Sequence, residues 1–264
     1  MVQEQQIQHL TDTLLEEMPQ YRGEYRRFAR DGETRRYFLR CLMNVREPHA
    51  LSESFLAAQD ALLAAEREEK GVISVEDLTP LPIDERLILW QGDITRLRVD
   101  AIVNAANSAL LGCFRPGHNC IDNVIHSAAG LQLREECAAI MKKQGHEEPT
   151  GQAKLTAGYN LPAKHVLHTV GPIISGPLTE RDRELLASCY RSCLRLAEEN
   201  GLKSLAFCCI STGVFHFPKE EAASIAIGTL REYLQESSIK KIIFCVHGDE
   251  NYRIYQKLLY IAER

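Results

Sequence analysis

The sequence predicts an α/β protein, a three-layer α/β/α sandwich preceded by a helical stretch. After residue 80, short apolar runs alternate with helical stretches near 122–143, 179–200, 218–235 and 250–263. The runs are LILW (87–90), AIVNA (101–105), HVLHTV (165–170), SLAFCCI (204–210) and KIIFCV (241–246). Their near-continuous apolar character is typical of strands covered on both faces, and their alternation with helices is typical of layered α/β folds.

The helical stretch occupies about the first 70 residues. Its apolar residues recur at the three- and four-residue steps of an amphipathic helix, at Ile7, Leu10, Leu14 and Met18 and again at Leu51, Phe55, Leu56, Leu62 and Leu63. Gly71 ends this pattern. Pro80 and Pro82 in EDLTPLPIDERL then disfavour helix and predict an extended linker.

Composition excludes several classes of protein. The chain has 264 residues, 45% of them hydrophobic and 25% charged, which excludes a collagenous or disordered chain. Its formal net charge of −5 argues against a general nucleic-acid binder, for which a pI above about 9 is expected. A local phosphate site stays compatible with that charge.

The sequence also predicts a cytoplasmic protein without a membrane span. No apolar run reaches 18 residues, and the N-terminus MVQEQQIQHLTDTLLEE lacks the basic start and apolar core of a signal peptide. The nine cysteines are scattered over a long chain, unlike the framework of a small secreted protein. We therefore expect reduced thiols.

An arginine-rich segment, YRGEYRRFARDGETRRYFLR (21–40), lies within the helical stretch. Interleaved arginines and aromatics are typical of nucleic-acid stacking surfaces. The alternative is a solvated helical face whose aromatics pack inward, namely Tyr21, Tyr25, Phe28 and Tyr37. We favour the solvated face, because Glu24, Asp31 and Glu33 dilute the positive charge.

A candidate metal loop begins at Gly112. Cys113, His118 and Cys120 lie within eight residues, and thiolates with an imidazole are the ligands that zinc prefers. Alternatively, the cysteines are small buried hydrophobes and His118 is an incidental loop residue, because C-x4-H-x-C is not a standard zinc-finger spacing. No second Cys/His cluster of comparable compactness lies nearby in the sequence. A zinc ion here would have three protein ligands and an open position, as in catalytic sites.

Asp122 directly follows this loop. It is interpreted as the N-cap of a helix that ends near Gly130, or as a carboxylate that orients water or a ribose hydroxyl beside the metal, and the two roles are compatible. Two thiolates cancel the charge of Zn²⁺, so such an ion lowers the pKa of bound water less than one held by three imidazoles. Positioning a substrate hydroxyl is therefore as compatible with the site as generating hydroxide. His126 is predicted to be a packed helix residue.

A phosphate-binding loop is predicted in CCISTGVFHFP (208–218). An apolar strand leads into Ser211, Thr212 and Gly213, and a helix begins at Pro218. In such a strand–loop–helix unit, backbone N–H groups point at an anion and glycine permits its close approach. The segment is neither a P-loop nor a Rossmann fingerprint.

Two further polar residues follow predicted strands. Asp93 in GDIT (92–95) could accept a hydrogen bond from an exocyclic amine such as that of adenine, and Asn107 in VDAIVNAAN (99–107) could bind ribose hydroxyls. The alternative is that both are ordinary turn residues.

Together these segments resemble the macrodomain family. GDIT, VDAIVNAAN, D-x-x-I-H-x-A-A-G (122–130), GQAKLTAGYNLPAKHVLHTVGP (151–172) and ISTGVFHFP (210–218) occur in the family's order. The run G-C-F-x-P-x-H-x-C-I-D-N-x-I-H is similar to that of zinc-containing macrodomains, which are microbial protein-ADP-ribose hydrolases with an N-terminal helical extension. The resemblance implies a macrodomain with a mixed central sheet over 76–264 and a helical extension over 1–75.

The resemblance also implies a function and a set of site residues. The function is zinc-dependent removal of mono-ADP-ribose from modified protein side chains, with Zn²⁺ on Cys113, His118 and Cys120 near the distal ribose and Asp122 as the catalytic residue. The implied substrate-binding residues are Asp93 and Ile94 at the adenine, Asn107 at the distal ribose, Cys120, Ile121 and Asp122, and the diphosphate loop Ser211, Thr212, Gly213, Val214 and Phe215.

Partners follow from the same resemblance. Similar proteins are linked to sirtuin-type ADP-ribosyltransferases and lipoylated carrier proteins, so the implied partners are ADP-ribose and a mono-ADP-ribosylated protein such as that carrier. Two alternatives remain, a module that binds ADP-ribose without cleaving it and a structural zinc protein. Asp122 and the metal loop favour the enzyme, because a pure binding module would need neither.

Overall fold

A seven-stranded mixed sheet forms the centre of the molecule, seen in a computed structural model that describes residues 2–261. Its strands, in chain order, are β2 (Pro80–Leu81), β3 (Asp84–Gln91), β5 (Ala101–Ala106), β6 (Ala153–Ala157), β7 (His165–Val170), β8 (Ser204–Phe207) and β9 (Lys241–Val246). Their order in space is β2-β3-β9-β8-β5-β7-β6. Two shorter strands, β1 (Ile73–Ser74) and β4 (Leu97–Arg98), pair in parallel outside this sheet.

The five inner strands are all parallel to one another. Leu87 of β3 pairs with Ile242 of β9, and Ala101 of β5 pairs with Leu205 of β8 and His165 of β7. Only the edge strands β2 and β6 run antiparallel. Because carboxyl ends of parallel strands meet at one edge, the loops after β3, β5, β7 and β8 leave the sheet side by side.

Helices cover both faces of the sheet. On one face lie α5 (Ile121–Ala129) and α6 (Leu131–Gln144), and on the other lie α7 (Glu180–Glu199), α8 (Lys219–Tyr233) and α9 (Asp249–Ile261). β7 contacts helices of both layers: His168 Nε2 lies 3.8 Å from Cys137 Sγ of α6, and the carbonyl of Val170 accepts a hydrogen bond from Cys189 of α7. Helices on both faces of the sheet, with β5, β7, β8 and β9 buried along most of their length, confirm the predicted three-layer sandwich.

The helical extension has its own apolar core. It comprises α1 (Val2–Glu17), α2 (Arg22–Phe28), α3 (Gly32–Val45) and α4 (Glu53–Lys70). Its buried apolar residues are Ile7, Leu10, Leu14, Leu15, Phe38, Leu39, Leu42, Met43, Phe55 and Leu62, joined by Leu131 of α6. The predicted helical stretch is confirmed, and the domain boundary at residue 75 stays a prediction. Within residues 2–261, no helix is long and apolar enough to cross a membrane.

Several predicted elements differ from the structure at the edges of the sheet. The segment with Pro80 forms edge strand β2, where proline is tolerated because one side of the strand needs no ladder partner. β6 was not predicted, since its half-exposed AKLTA sequence lacks an apolar run. The run 204–210 is strand only as far as Phe207. Residues 262 and 263, predicted to be helical, lie outside the described residues.

Glycine 130 divides the helical stretch predicted over 122–143. Its φ of +97° lies in the region that glycine favours, and it ends α5 before α6 begins. The predicted end of a helix near Gly130 is therefore confirmed.

The arginine-rich segment is only partly inward-facing. Tyr25 packs edge-on against Phe38, with ring centroids 5.4 Å apart, and Tyr21 also packs on the apolar core of the extension. Phe28 and Tyr37 are 56% and 54% exposed, so the prediction that they pack inward is wrong. Tyr37 instead packs against Gly117 of the candidate metal loop. A Cβ added at Gly117 would lie 2.1 Å from the Tyr37 hydroxyl.

Candidate functional site

The candidate site lies at the carboxyl edge of the sheet. The segments after β3 (Asp93), β5 (Asn107) and β8 (208–218) all leave the sheet there, and α5 begins beside them. A 3-10 helix at Ile94–Arg96 packs against α5. Parallel pairing therefore brings together segments that are far apart in the sequence. In open α/β sheets, this edge is the usual place for a ligand.

The three predicted metal ligands lie together. The ligand atoms of Cys113, His118 and Cys120 are all within 4.8 Å of one another, and Cys113 Sγ lies 3.6 Å from His118 Nδ1. Tetrahedral zinc, with Zn–S of about 2.3 Å and Zn–N of about 2.1 Å, places its donors roughly 3.6–3.8 Å apart. Burial, together with the neighbouring Cys113 and Asp122, raises the pKa of Cys120 to about 11. A bound cation would counteract that shift by favouring the thiolate. The donor set therefore fits a zinc ion.

Cys120, rather than Asp122, caps α5. The sulfur of Cys120 accepts a hydrogen bond from the N–H of Asn123 at 3.5 Å. Asp122 is the second residue of α5, so the alternative that it is the N-cap is wrong. Its side chain instead points into the protein, towards β5.

The Asp122 carboxylate is buried and held by one amide. Asn104 Nδ2 donates to Asp122 Oδ1 at 2.8 Å, and His126 Nε2 lies 3.6 Å from the same oxygen. Burial raises the pKa of Asp122 to about 6, and the hydrogen bond from Asn104 and the charge of Arg134 oppose that rise. The other carboxylate oxygen has no protein partner among the described residues, which leaves it available to a ligand.

A second Cys/His group lies behind Asp122. His126, Cys137 and His168 are buried, and their ligand atoms lie within 4.8 Å of one another, so this group could also hold a metal ion. The sequence indicated no second cluster, because α5, α6 and β7 supply these residues from distant positions. His126 is a packed helix residue, as predicted, and neither of its ring nitrogens has a partner within the described chain.

His168 takes part in a buried polar network. Its Nδ1 lies 3.2 Å from Asn104 Nδ2, and its Nε2 lies 3.0 Å from the Thr156 hydroxyl. Burial lowers the pKa of His168 to about 3, so the ring is neutral at physiological pH. Asn104 thus lies between this neutral histidine and Asp122. Asn104 was not predicted from the sequence, although an amide in the apolar strand AIVNA indicates a buried polar group that needs a partner.

Arg134 is a second site residue that was not predicted from the sequence. Its buried guanidinium donates to the carbonyls of Leu111, Met43 and Arg46 at 2.7, 3.0 and 2.6 Å, and it lies 4.4 Å from the ring centroid of Phe114. Burial lowers its pKa to about 10. The arginine therefore ties the start of the metal loop to α3.

The predicted phosphate loop has the conformation of an anion site. Ser211 and His216 have φ angles of +64° and +59°, which turn the backbone sharply on either side of Gly213. Among the described residues, the N–H groups of Gly213, Val214 and Phe215 have no protein acceptor. Val214 is 60% exposed. Consecutive free N–H groups in such a turn form a concavity that suits an anion.

A neighbouring loop supports the phosphate loop. The N–H of Ile174 donates to the carbonyl of Phe215 at 2.8 Å. Gly171, in the loop after β7, lies so close to Ser211 that a Cβ added at Gly171 would be 2.0 Å from Ser211 Oγ. The loop after β7 therefore fixes the position of the loop after β8.

Asn107 and Asp93 both make the contacts of turn residues. Asn107 Nδ2 donates to the carbonyl of Gly112 at 3.0 Å, and its Oδ1 accepts from the N–H of Ala109 at 3.1 Å. Asp93 Oδ1 accepts from the N–H and the hydroxyl of Thr95 at 3.0 and 2.7 Å. Asp93 Oδ2 has no hydrogen-bond partner in the described chain. The turn therefore leaves this carboxylate oxygen free to accept a hydrogen bond from a ligand.

The sequence of this chain is similar to a family model and to those of known proteins. Residues 103–226 match the model of the family described as Macro domain. A protein-ADP-ribose hydrolase of Treponema medium is 50% identical over 262 residues, covering 98% of this chain and 100% of that protein. A protein-ADP-ribose hydrolase of Staphylococcus aureus (strain MSSA476) is 50% identical over 220 residues, covering 83% and 82% of the two chains.

A solved structure agrees with the sequence comparisons. The Trypanosoma brucei macrodomain in complex with ADP-ribose has a TM-score of 0.65 and 36% identity, covering 79% of this chain and 91% of that chain. The fold and the edge site define a ligand-binding α/β/α domain. The chain belongs to the macrodomain family, and the resemblance in its sequence is confirmed.

Proposed function

We propose that this protein is a hydrolase that releases mono-ADP-ribose from modified protein side chains. The observation that carries the proposal is the buried Asp122 carboxylate, which is held by Asn104 at 2.8 Å and lies two residues after Cys120 of the Cys113, His118 and Cys120 group. The 50% sequence identity, over 98% of this chain, to a protein named protein-ADP-ribose hydrolase supports the proposal. A module that only binds ADP-ribose would need neither feature.

The site offers a group for each part of ADP-ribose. The free oxygen of Asp93 would accept from the adenine amine, with Ile94 beside it. The free N–H groups of Gly213, Val214 and Phe215 would bind the diphosphate, together with those at the start of α5, whose dipole favours an anion. Ser211 and Thr212 would complete this loop. The complex of the Trypanosoma brucei macrodomain with ADP-ribose supports this assignment of the ligand.

The distal ribose would lie at the start of α5. Asn107, Cys120 and Ile121 would surround it, and Asp122 would face its reacting end. The Asp122 oxygen that does not accept from Asn104 would orient a water molecule, directly or through a ribose hydroxyl. It would accept a proton from that water as the water oxygen bonds to C1″ and the bond from C1″ to the protein side chain breaks, and the proton would then pass to the released side chain or to solvent. Asn104 would fix the orientation of the carboxylate throughout.

Cys113, His118 and Cys120 would hold a zinc ion in this proposal. When bound, zinc supplies a Lewis acid whose charge is largely cancelled by two thiolates, which suits orientation of a hydroxyl. The group His126, Cys137 and His168 is the second candidate metal site. We favour the loop, because both ring nitrogens of His168 already lie within hydrogen-bond distance of protein partners.

The proposed substrate protein rests on the resemblance, and the proposed compartment rests on the cysteines. We propose a mono-ADP-ribosylated carrier protein of the lipoylated type, linked to a sirtuin-type ADP-ribosyltransferase, as the substrate. We place the reaction in the cytoplasm, since all nine cysteines are free.

Metal analysis and single-turnover hydrolysis together test the proposal. We expect about one zinc per chain, lost in Cys113→Ser and retained in Cys137→Ser and in the control Cys41→Ser. Asp122→Ala should retain ADP-ribose binding and lose roughly 100-fold or more in the rate of ADP-ribose release, the effect typical of a general base. Full activity of Asp122→Ala, or retention of zinc in Cys113→Ser with loss in Cys137→Ser, would contradict it.

A further inference from the structure

The helical extension contacts the candidate metal loop directly through α3. Arg40 Nη2 donates to the carbonyl of His118 at 2.8 Å and to Asn123 Oδ1 at 3.0 Å. No carboxylate pairs with Arg40 in the described chain. Its acceptors are the carbonyl of a candidate ligand and neutral side chains around the loop, so its role is to hold polar groups in place.

Asn44, one turn further along α3, makes a second contact. Its Oδ1 accepts from the N–H of Gly117 at 3.0 Å, and its Nδ2 donates to the hydroxyl of Ser127 on α5 at 3.0 Å. Asn44 is 2% exposed. This buried amide therefore links the helical extension, the loop and α5.

Asn123 extends the same network to the first ligand. It is fully buried, and its Nδ2 donates to the carbonyls of Cys113 and Arg115 at 3.3 and 3.0 Å. Its Oδ1 accepts from Arg40. Backbone groups at positions 113, 115, 117 and 118 are thus fixed by side chains outside the loop.

The loop has few hydrogen bonds of its own to hold this shape. Gly112 and Gly117 have φ angles of +79° and +61°, and one backbone hydrogen bond within the loop runs from the N–H of His118 to the carbonyl of Arg115 at 3.2 Å. A flexible loop that must bring three ligands together loses affinity through the entropy of ordering, and preorganisation removes that cost. Residues that hydrogen-bond to metal ligands without contacting the metal commonly raise metal affinity by about 10–100-fold.

We infer that Arg40 and Asn44 are positioning residues for the metal, and that one function of the helical extension is to preorganise the Cys113–Cys120 loop. This inference rests on the proposed function, because it takes the ion to be held by Cys113, His118 and Cys120. The charge of Arg40 by itself would repel a cation. If Arg40 positions the loop, removal of its guanidinium weakens zinc binding. If Arg40 acts only through its charge, the same removal strengthens zinc binding.

Zinc affinity of the full chain, measured by competition with a chromophoric chelator, tests the inference. We expect Arg40→Met and Asn44→Ala each to weaken zinc binding by roughly 10–100-fold. Arg40→Lys, which keeps the charge and loses the forked geometry of the guanidinium, should weaken it as well. Arg35 lies on the same helix, and within the described residues its side chain makes no hydrogen bond to the loop, so Arg35→Ala should bind zinc as the wild type does.

The possible outcomes separate this inference from the proposed function. Wild-type protein without stoichiometric zinc would overturn the proposed metal site itself. Zinc-binding wild type with unchanged or tighter binding in Arg40→Met and Asn44→Ala would overturn the inference alone. Circular dichroism of the metal-free chains identifies any variant that is unfolded, and the test then rests on Arg40→Lys and the remaining folded variant.

Discussion

Two asparagines of the NAAN segment have different surroundings, although they lie three residues apart. Asn104 is fully buried and donates to Asp122, whereas Asn107 is part of a turn through Gly112 and Ala109. The strand period of two explains part of this difference, because Asn104 faces α5 from within β5 and Asn107 follows the end of the strand. In the proposed hydrolase, Asn104 orients the catalytic carboxylate and Asn107 shapes the loop beside the ribose.

Removing the Asn104 amide should slow the reaction. We expect Asn104→Ala to lower kcat by roughly 10–100-fold with little change in KM, because a hydrogen bond to a charged group contributes about 1.5–3 kcal/mol. The measurement is steady-state release of ADP-ribose from a modified protein. Asn200→Ala, at the exposed end of α7, is the control, and equal kcat in both variants would contradict the role of Asn104.

At the scale of elements, the site depends on loops that support one another. The loop after β7 bonds to the loop after β8 through Ile174 and Phe215. The absence of a side chain at Gly171 permits the close approach of Ser211. The conformation of the phosphate loop is therefore set by a neighbouring strand connection as well as by its own sequence.

An added methyl group at Gly171 should disturb the phosphate loop. A Cβ there would lie 2.0 Å from Ser211 Oγ, so Gly171→Ala must displace Ser211. Overpacking of this kind costs about 1–3 kcal/mol, and we expect ADP-ribose affinity to fall roughly tenfold in a calorimetric titration. Gly176→Ala, where nothing lies within 4 Å of the added Cβ, should bind as the wild type does. Equal affinities in the two variants would count against the loop's role.

At the scale of the whole molecule, the helical extension and the sandwich share buried contacts. Leu131 of α6 belongs to the apolar cluster of the extension. Gln59 Oε1 accepts from the N–H of Leu131 at 3.0 Å, and Arg134 donates to two carbonyls of the 43–46 segment. These contacts indicate that the two parts unfold together.

A cavity in the extension should therefore destabilise the sheet. Leu39 is fully buried, and Leu39→Ala should cost about 2–5 kcal/mol of unfolding free energy. The single tryptophan, Trp90 in β3, reports on the sandwich, so we expect its fluorescence midpoint in urea to fall together with the circular dichroism midpoint. An unchanged Trp90 midpoint in Leu39→Ala would show that the extension unfolds separately and would support the boundary at residue 75.

Much of the fold was predictable because apolar patterning reflects burial. The five inner strands were found since both their faces are covered, and the extension was found since its apolar residues repeat at helical steps. β2 and β6 were not found, because edge strands are half-exposed and lack that pattern. Phe28 and Tyr37 were placed wrongly, since the position of an aromatic residue in a helix does not show whether another element covers its side chain.

The sequence by itself determined the α/β class and the family, and it predicted a metal loop and a phosphate loop, because all of these depend on residues close together in the chain. Only the tertiary structure brought Asn104 to Asp122, grouped His126, Cys137 and His168, and placed Arg40 and Asn44 against the loop. Those contacts join residues from different elements. They depend on which strands pair and how helices pack, and local spacing carries no record of either.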